Sequence, residues 1–320
     1  MKTIVNKVMR HPSLIDKPPV LIDIGASGAL PHHWKLLAQF SICVAFDADT
    51  RDFVVSESEN GEWKKLYSLN RLVAANPSDG VDFYLTSEPH CSSALHPDNE
   101  ALKPWAFRHL FDVEKLVKLP AVDLQSVLVK IGIDYIDWYK TDSQGTDLRI
   151  FDALPTSTIG GIIAAEFEPG IIDAYMGEDK LHQLMAYMDK KPFWVSHMQI
   201  KGSQRIDQDD LLSLSSLQRR YISSFLKTAP GWSEISYINN LSDIKLSCRE
   251  YLLAWLFATI KGEHGFGLHV AKNGAIKFQE PLFDELYDQS LRRISSSSGY
   301  VALAVRAWRK ITRSFGVSSK

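Results

Sequence analysis

The chain has 320 residues, of which 45% are hydrophobic and 23% charged, enough for one large domain with or without an accessory unit. A formal net charge of -2 gives no global argument for binding nucleic acid. Three cysteines far apart (Cys43, Cys91, Cys248) form no C-x-x-C pair, which argues against a disulfide framework or a zinc knuckle and suits a reducing compartment.

Met1 to Lys17 alternates charged and apolar residues, with no run resembling a signal peptide. Val20-Leu21-Ile22-Asp23-Ile24 follows as a buried strand, turning through Gly25-Ala26-Ser27-Gly28. Such a turn, feeding a helix whose N-terminal end is positive, is where an open α/β sheet binds a nucleotide. The spacing lacks the third glycine of G-x-G-x-x-G and the G-K-[ST] of a phosphate loop. An acid two residues before the first glycine repels a pyrophosphate but suits a ligand carrying an ammonium and a sulfonium. That ligand is S-adenosylmethionine (SAM), against other nucleotides or a plain strand-to-helix turn.

Pro31 to Phe40 reads as a short helix with Trp34, Leu37 and Phe40 on one side. Ile42 to Phe46 is a second buried strand ending at Asp47, where such an acid either grips ribose hydroxyls or caps the next helix. Lys65 to Ala74 supplies a third strand, and Val81 to Thr86 alternates as a hairpin strand after the turn Asn76 to Gly80. The polar loop Ser87 to Ser93 follows; His90, Cys91 and His96 in and beside it have no recognised metal-ligand spacing. Val122 to Ile131 is an amphipathic helix, Tyr135 to Lys140 a strand delivering Thr141 to Gly145, and Asp147 to Leu154 a helix. Ile159 to Phe167 is a further buried strand ending in Glu166-Phe167-Glu168-Pro169. This alternation predicts a Rossmann-like, doubly wound, mostly parallel sheet, with Asp23, Asp47, Asp142 and Glu166 along one rim.

Four pieces in this order resemble the FkbM family of SAM-dependent methyltransferases. Asp23-Ile24-Gly25-Ala26-Ser27-Gly28 is similar to its D-[IV]-G-A-x-x-G turn, and Ala45-Phe46-Asp47-Ala48-Asp49 to its F-E-P-x element, with Asp for Glu and no proline. Trp138 to Asp147 resembles its L-K-x-D-x-[EQ]-G-x-E segment, and Ala164 to Glu168 its apolar strand ending in E-x-E. The resemblance covers residues 20–200. It implies a class I methyltransferase type of fold, SAM as cofactor, and O-methylation of a hydroxyl on a saccharide, glycolipid or secondary metabolite. Asp23, Gly25, Ala26, Ser27, Gly28, Asp47 and Ser93 are then the cofactor residues, Ser93 as one of two loop serines (with Ser92) contacting adenosine or acceptor. For a hydroxyl acceptor a base is needed. Asp142 is the first candidate, with helix capping or cofactor contact as its other reading. Glu166 orients the acceptor or holds the cofactor amine, and His90 is a second candidate base. Lys140 reads as structural or surface. The competing functions are an NAD(P)-dependent oxidoreductase and a catalytically degenerate methyltransferase fold acting as scaffold.

Beyond residue 200 the apolar stripes Leu211, Leu212, Leu214, Leu217, Tyr221, Phe225 and then Leu252 to Phe257 predict a mainly helical accessory region over 201–290. The longest apolar run, Tyr251 to Ile260, is about half a membrane span. Gly262 to Gly267 reads as a helix end, and Val270 to Lys277 as a hairpin about Asn273-Gly274. From Leu291 onward there are seven basic residues and no acid. Residues 301–315 form a basic amphipathic pattern suited to an anionic membrane surface or an acidic partner, or to docking on the protein's own core. The expected organisation is an N-terminal segment 1–19, a SAM-binding domain 20–200, the accessory region 201–290 and the basic tail 291–320. The expected setting is the cytoplasm, with a small-molecule or glycan acceptor and no nucleic acid.

Overall fold

The computed structural model describes residues 1–26, 30–51, 62–243 and 245–296. Ser27 and Gly28 of the first turn, and the basic stretch 301–315, lie outside the described residues. The chain divides into two units, Met1–Lys245 and Leu246–Lys320.

The first unit is built on a mostly parallel sheet. Its strands are β1 (Val20–Ile24), β2 (Ile42–Phe46), β3 (Lys65–Leu69), β7 (Trp138–Thr141), β8 (Ala164–Phe167), β9 (Phe193–Gln204) and β10 (Thr228–Asn239). A second, three-stranded sheet holds β4 (Leu72–Val73), β5 (Ser78–Thr86) and β6 (Val113–Val122) in the order β4-β6-β5. The large sheet runs β3-β2-β1-β7-β8-β10-β9, with β10 antiparallel to both of its neighbours. β1, β2, β7 and β8 are short and mostly buried because both faces are covered. On one face Ile22, Ile24, Tyr139 and Phe167 pack with Leu124 and Leu128, Ile150 and Phe151, and Leu184 and Met188, from three separate helices. On the other, Trp34 sits edge-on to Trp138 at 5.9 Å between centroids. The mixed α/β architecture with a mostly parallel central sheet, predicted from the alternation, is therefore present.

Several boundaries differ from the sequence reading, each for an identifiable reason. Residues 159–163 belong to the helix Thr156–Gly161 and its exit, so the fifth parallel strand, β8, begins at Ala164. The apolar run continued across both elements and concealed the break. After the first turn, Pro31 leads into a 3₁₀ helix, His32–Leu36, instead of an α-helix. The accessory region begins at residue 246 and not 201, because β9 and β10 form a long antiparallel hairpin in the main sheet. The stripe Leu212, Leu217, Tyr221 and Phe225 lies on short helices in the β9–β10 connection and is exposed, not core. Asn273-Gly274 falls inside the helix His264–Phe278, where Gly274 admits the ring of Phe283: a Cβ there would sit 2.5 Å from it. Gly262, at φ +82°, ends the helix Cys248–Ile260 as expected. Among the described residues no helix is long and apolar enough to cross a membrane.

Candidate functional site

The site grows from the carboxyl ends of β1, β2, β7 and β8, where an open α/β sheet leaves a crevice. Gly25 ends β1 with φ +80°. Its N–H and that of Ala26 both donate to the Phe46 carbonyl at 2.9 Å, tying the end of β1 to that of β2. A Cβ on Gly25 would lie 2.1 Å from the backbone oxygen of Asp142, so glycine is required by the neighbouring chain as well as by φ. The space a side chain would take is filled by the β7 loop. Ala26 is buried beside it.

Asp23 does not face the crevice. The pleat that sends Ile22 and Ile24 into the core turns Asp23 to the opposite face, in register with Lys140. Lys140 Nζ donates to Asp23 Oδ1 at 2.9 Å, and the Asp23 side chain is almost fully buried. Burial would lower the Lys140 pKa, but the carboxylates of Asp23 and Asp142 outweigh it and hold the ammonium above its ordinary value. Lys140 is thus an internal counter-ion rather than a surface residue. Its replacement in Lys140→Met should cost about 3 kcal/mol, because Asp23 is left as an unpaired buried charge. The double variant Asp23→Leu/Lys140→Met should recover most of that loss, as a double-mutant cycle of denaturant unfolding would read.

Glu166 also departs from the expected rim. In β8 Ala165 and Phe167 join the core, so Glu166 lies on the face of Asp23 and Lys140, with His33 Nε2 3.8 Å from its Oε1. Glu168, two residues on and past the strand end, takes the expected place. Its backbone N–H donates to Asp147 Oδ2 at 2.8 Å. Asp147 also accepts from Ser143 N–H at 2.8 Å, Ser143 Oγ at 2.5 Å and Thr141 Oγ1 at 3.1 Å. One buried carboxylate therefore clamps the β7 and β8 ends together, and sequence reasoning assigned it no role.

Two cavities meet here. A narrow cleft of about 60 Å³ is lined by Gly25, Asp47, Asp49, Val73, Phe83 and Ser92, among others. A larger cavity of about 440 Å³ is walled by Phe107, Phe111, Tyr175, Trp232, Glu168 and Glu178, among others. Asp142, Gln144 and His90 line both and form the partition. The larger volume is in the range of small-molecule sites. The Gln144 side-chain amide donates to Asp142 Oδ1, while Tyr175 donates its hydroxyl to Gln144 Oε1 at 2.9 Å. Gln144 at φ +55° and Gly145 at φ +102° make the tight bend that exposes these groups.

Burial raises the pKa of both Asp142 and Glu168 above the carboxylate range; the Asp142 charge raises Glu168 further, and the Asp147 and Asp23 charges raise Asp142. Lys140 and the Gln144 amide favour the Asp142 anion, so Asp142 ionises first and Glu168 keeps its proton at neutral pH. The wall of the larger cavity thus holds a carboxylate, Asp142, and a neutral carboxylic acid, Glu168.

In the cleft, burial and the charges of Asp49 and Asp23 push Asp47 up to about 6, against a backbone hydrogen bond from Asp49. Asp49 is held below its ordinary value, because its hydrogen bonds and 2.6 Å ion pair with Arg51 outweigh burial. Arg51 also reaches Ser92 Oγ at 2.9 Å. Ser93, expected to touch a ligand, instead donates to the Gln144 carbonyl at 2.7 Å and accepts from Leu95 N–H. It is a buried clip on the partition loop, and Ser92 is the serine lining the cleft.

Because folding raises the Asp47 pKa, the protonated form favours the folded state. That contribution is complete below the ordinary value of 3.8 and is lost as pH rises through about 6. Asp47→Asn should therefore stabilise the unliganded protein by about 1–2 kcal/mol above that window and leave it unchanged below. Thermal unfolding at the two pH extremes checks this.

No family model and no curated protein matches the chain. The site must be read from its own chemistry. Among the described residues no group of three or more His, Cys, Asp or Glu side chains could hold a metal ion. The residues the sequence reading missed (Asp147, Gln144, Glu168 and Tyr175) share one signal: three of them stand in or beside the Asp142-Ser143-Gln144-Gly145-Thr146-Asp147 and Glu166-Phe167-Glu168 strings already singled out. Tyr175 had none.

Proposed function

We propose that the chain is a SAM-dependent methyltransferase acting on a hydroxyl of a small molecule or glycan. The observation that carries this reading is the pair of adjoining cavities sharing one ionisable partition, Asp142 with His90. A group transfer between two bound molecules needs two chambers and a proton acceptor where they meet. The resemblance of residues 20–200 to the FkbM family supports the choice of cofactor. So does the sheet order, in which an antiparallel strand stands between the last two parallel ones, unlike the 3-2-1-4-5-6 order of the dinucleotide-binding fold.

The cleft fits the cofactor in kind. Asp47 offers a carboxylate to ribose hydroxyls, and Leu72, Val73 and Phe83 offer apolar walls for a base. Its volume of about 60 Å³ is less than a nucleoside requires, so the cleft must widen to admit one. SAM, when bound, supplies a methyl group on a sulfonium for in-line displacement. Asp142, ionised, accepts the hydroxyl proton of the acceptor. Gln144 holds that carboxylate in place by its hydrogen bond and, with the Lys140 charge, favours its charged form. Glu168, still protonated, donates a hydrogen bond within the acceptor cavity. Phe107, Phe111 and Trp232 exclude water and present flat apolar faces to the acceptor.

Isothermal titration of the chain with SAM and with its demethylated product tests the reading. Binding of both in the micromolar range is expected. No heat with either at sub-millimolar concentration, together with a thermal shift given by NAD(P), would overturn it in favour of an oxidoreductase.

A further inference from the structure

The connection between β9 and β10 is unlike the rest of the first unit. From residue 205 to 230 no position is buried. It nevertheless carries large apolar side chains: Leu212, Leu217 and Phe225 are 65%, 68% and 70% exposed, with Tyr221 and Leu226 exposed nearby. Three short helices, Gln208–Ser213, Ser216–Arg220 and Ile222–Phe225, carry Leu212, Leu217 and Phe225. An exposed apolar cluster of this kind marks an interaction surface. Its charge identifies the partner. Residues 211–227 contain Arg219, Arg220 and Lys227 and no acid. The acids Asp207, Asp209 and Asp210 stand upstream, and Asp207 caps the first helix. Arg220 lies over the Tyr221 ring at 5.7 Å.

We propose that residues 211–227 dock on an anionic lipid surface. Leucine and phenylalanine side chains enter the acyl boundary, the tyrosine sits at headgroup level, and the arginines and lysine meet lipid phosphates and carboxylates. The two strands that this connection joins line the larger cavity through Gly202, Ser203, Gly231 and Trp232. The docked face is thus the one from which a membrane-held acceptor would arrive. That consequence rests on the methyltransferase reading; the docking does not.

The test is sedimentation of the full-length chain with vesicles of phosphatidylcholine, with and without phosphatidylserine. Binding to the phosphatidylserine vesicles is expected. Leu217→Asp/Phe225→Asp should weaken it by about tenfold or more. Arg219→Gln/Arg220→Gln should remove the preference for phosphatidylserine while keeping the thermal midpoint, since these side chains support no core. Absence of vesicle binding overturns the proposal. So does binding that the Leu217/Phe225 substitutions leave intact, which would assign it to the 301–320 stretch. Concentration-dependent self-association abolished by the same substitutions, without vesicle binding, would identify a second copy of the chain as the occupant and also overturn it. None of these outcomes depends on whether SAM binds.

Discussion

Gly25→Ala should destabilise the first unit by about 3–5 kcal/mol, a loss at the extreme of single substitutions. Two costs add. An alanine at φ +80° occupies the left-handed region, at roughly 1–2 kcal/mol. Its Cβ would also stand 2.1 Å from the Asp142 carbonyl oxygen. Neither partner can yield cheaply. The Asp142 N–H donates to the Ile24 carbonyl at 2.9 Å, and the Gly25 N–H is bonded to the Phe46 carbonyl. Relief therefore requires β1, β2 and β7 to part at the rim where Asp142 is presented. Gly132→Ala separates the two costs, because Gly132 has φ +77° but no atom within 4 Å of its would-be Cβ. Urea unfolding of both variants should show the Gly25 loss to be at least twice the Gly132 loss. Equal losses would mean that the contact with Asp142 relaxes freely.

The same residue shows how far the sequence could be read. Apolar runs bounded by glycine and acid located β1, β2 and β7, and their alternation with helical stretches pointed to a mostly parallel α/β sheet. Register was less legible. With a period of two, a shift by one position moves a side chain to the other face. Asp23 and Glu166 were assigned to the crevice on proximity to a strand end, while the pleat turns both towards Lys140 and His33. Glu168 stands just beyond the strand and escapes that alternation. Non-local pairing was also hidden. β9 and β10 join the main sheet across a connection rich in leucine, whose helical periodicity is real but local, with no core to face. The Asp147 clamp needed three dimensions: its partners, Thr141, Ser143 and the Glu168 backbone, come from two strand ends. Ser93 and Ser92 are adjacent in sequence, and only the fold distinguishes the loop clip from the cleft wall.

Asp142→Asn should lower the rate of methyl transfer by about 10²–10⁴-fold while SAM affinity changes only a few-fold. The asparagine keeps the shape and the contact with Gln144 but has no lone pair basic enough to accept a hydroxyl proton. Incorporation of label from methyl-labelled SAM into an acceptor preparation reads the rate; calorimetry reads the affinity. The pH profile gives an independent check. Because burial raises the Asp142 pKa, the base is ionised only above the ordinary carboxylate range. Wild-type kcat/KM should therefore fall as pH drops through the raised value, and the residual Asp142→Asn rate should lose that limb. Glu168 then separates the two carboxyls. With Asp142 ionised, Glu168 is neutral, so Glu168→Gln should retain far more activity than Asp142→Asn and keep the acid limb. In Asp142→Asn the like charge opposing Glu168 ionisation is gone, and the Glu168 pKa should fall, which carboxyl-resolved NMR can follow. Full activity in Asp142→Asn, with the acid limb intact, would move the base to His90, the third group that both cavities share.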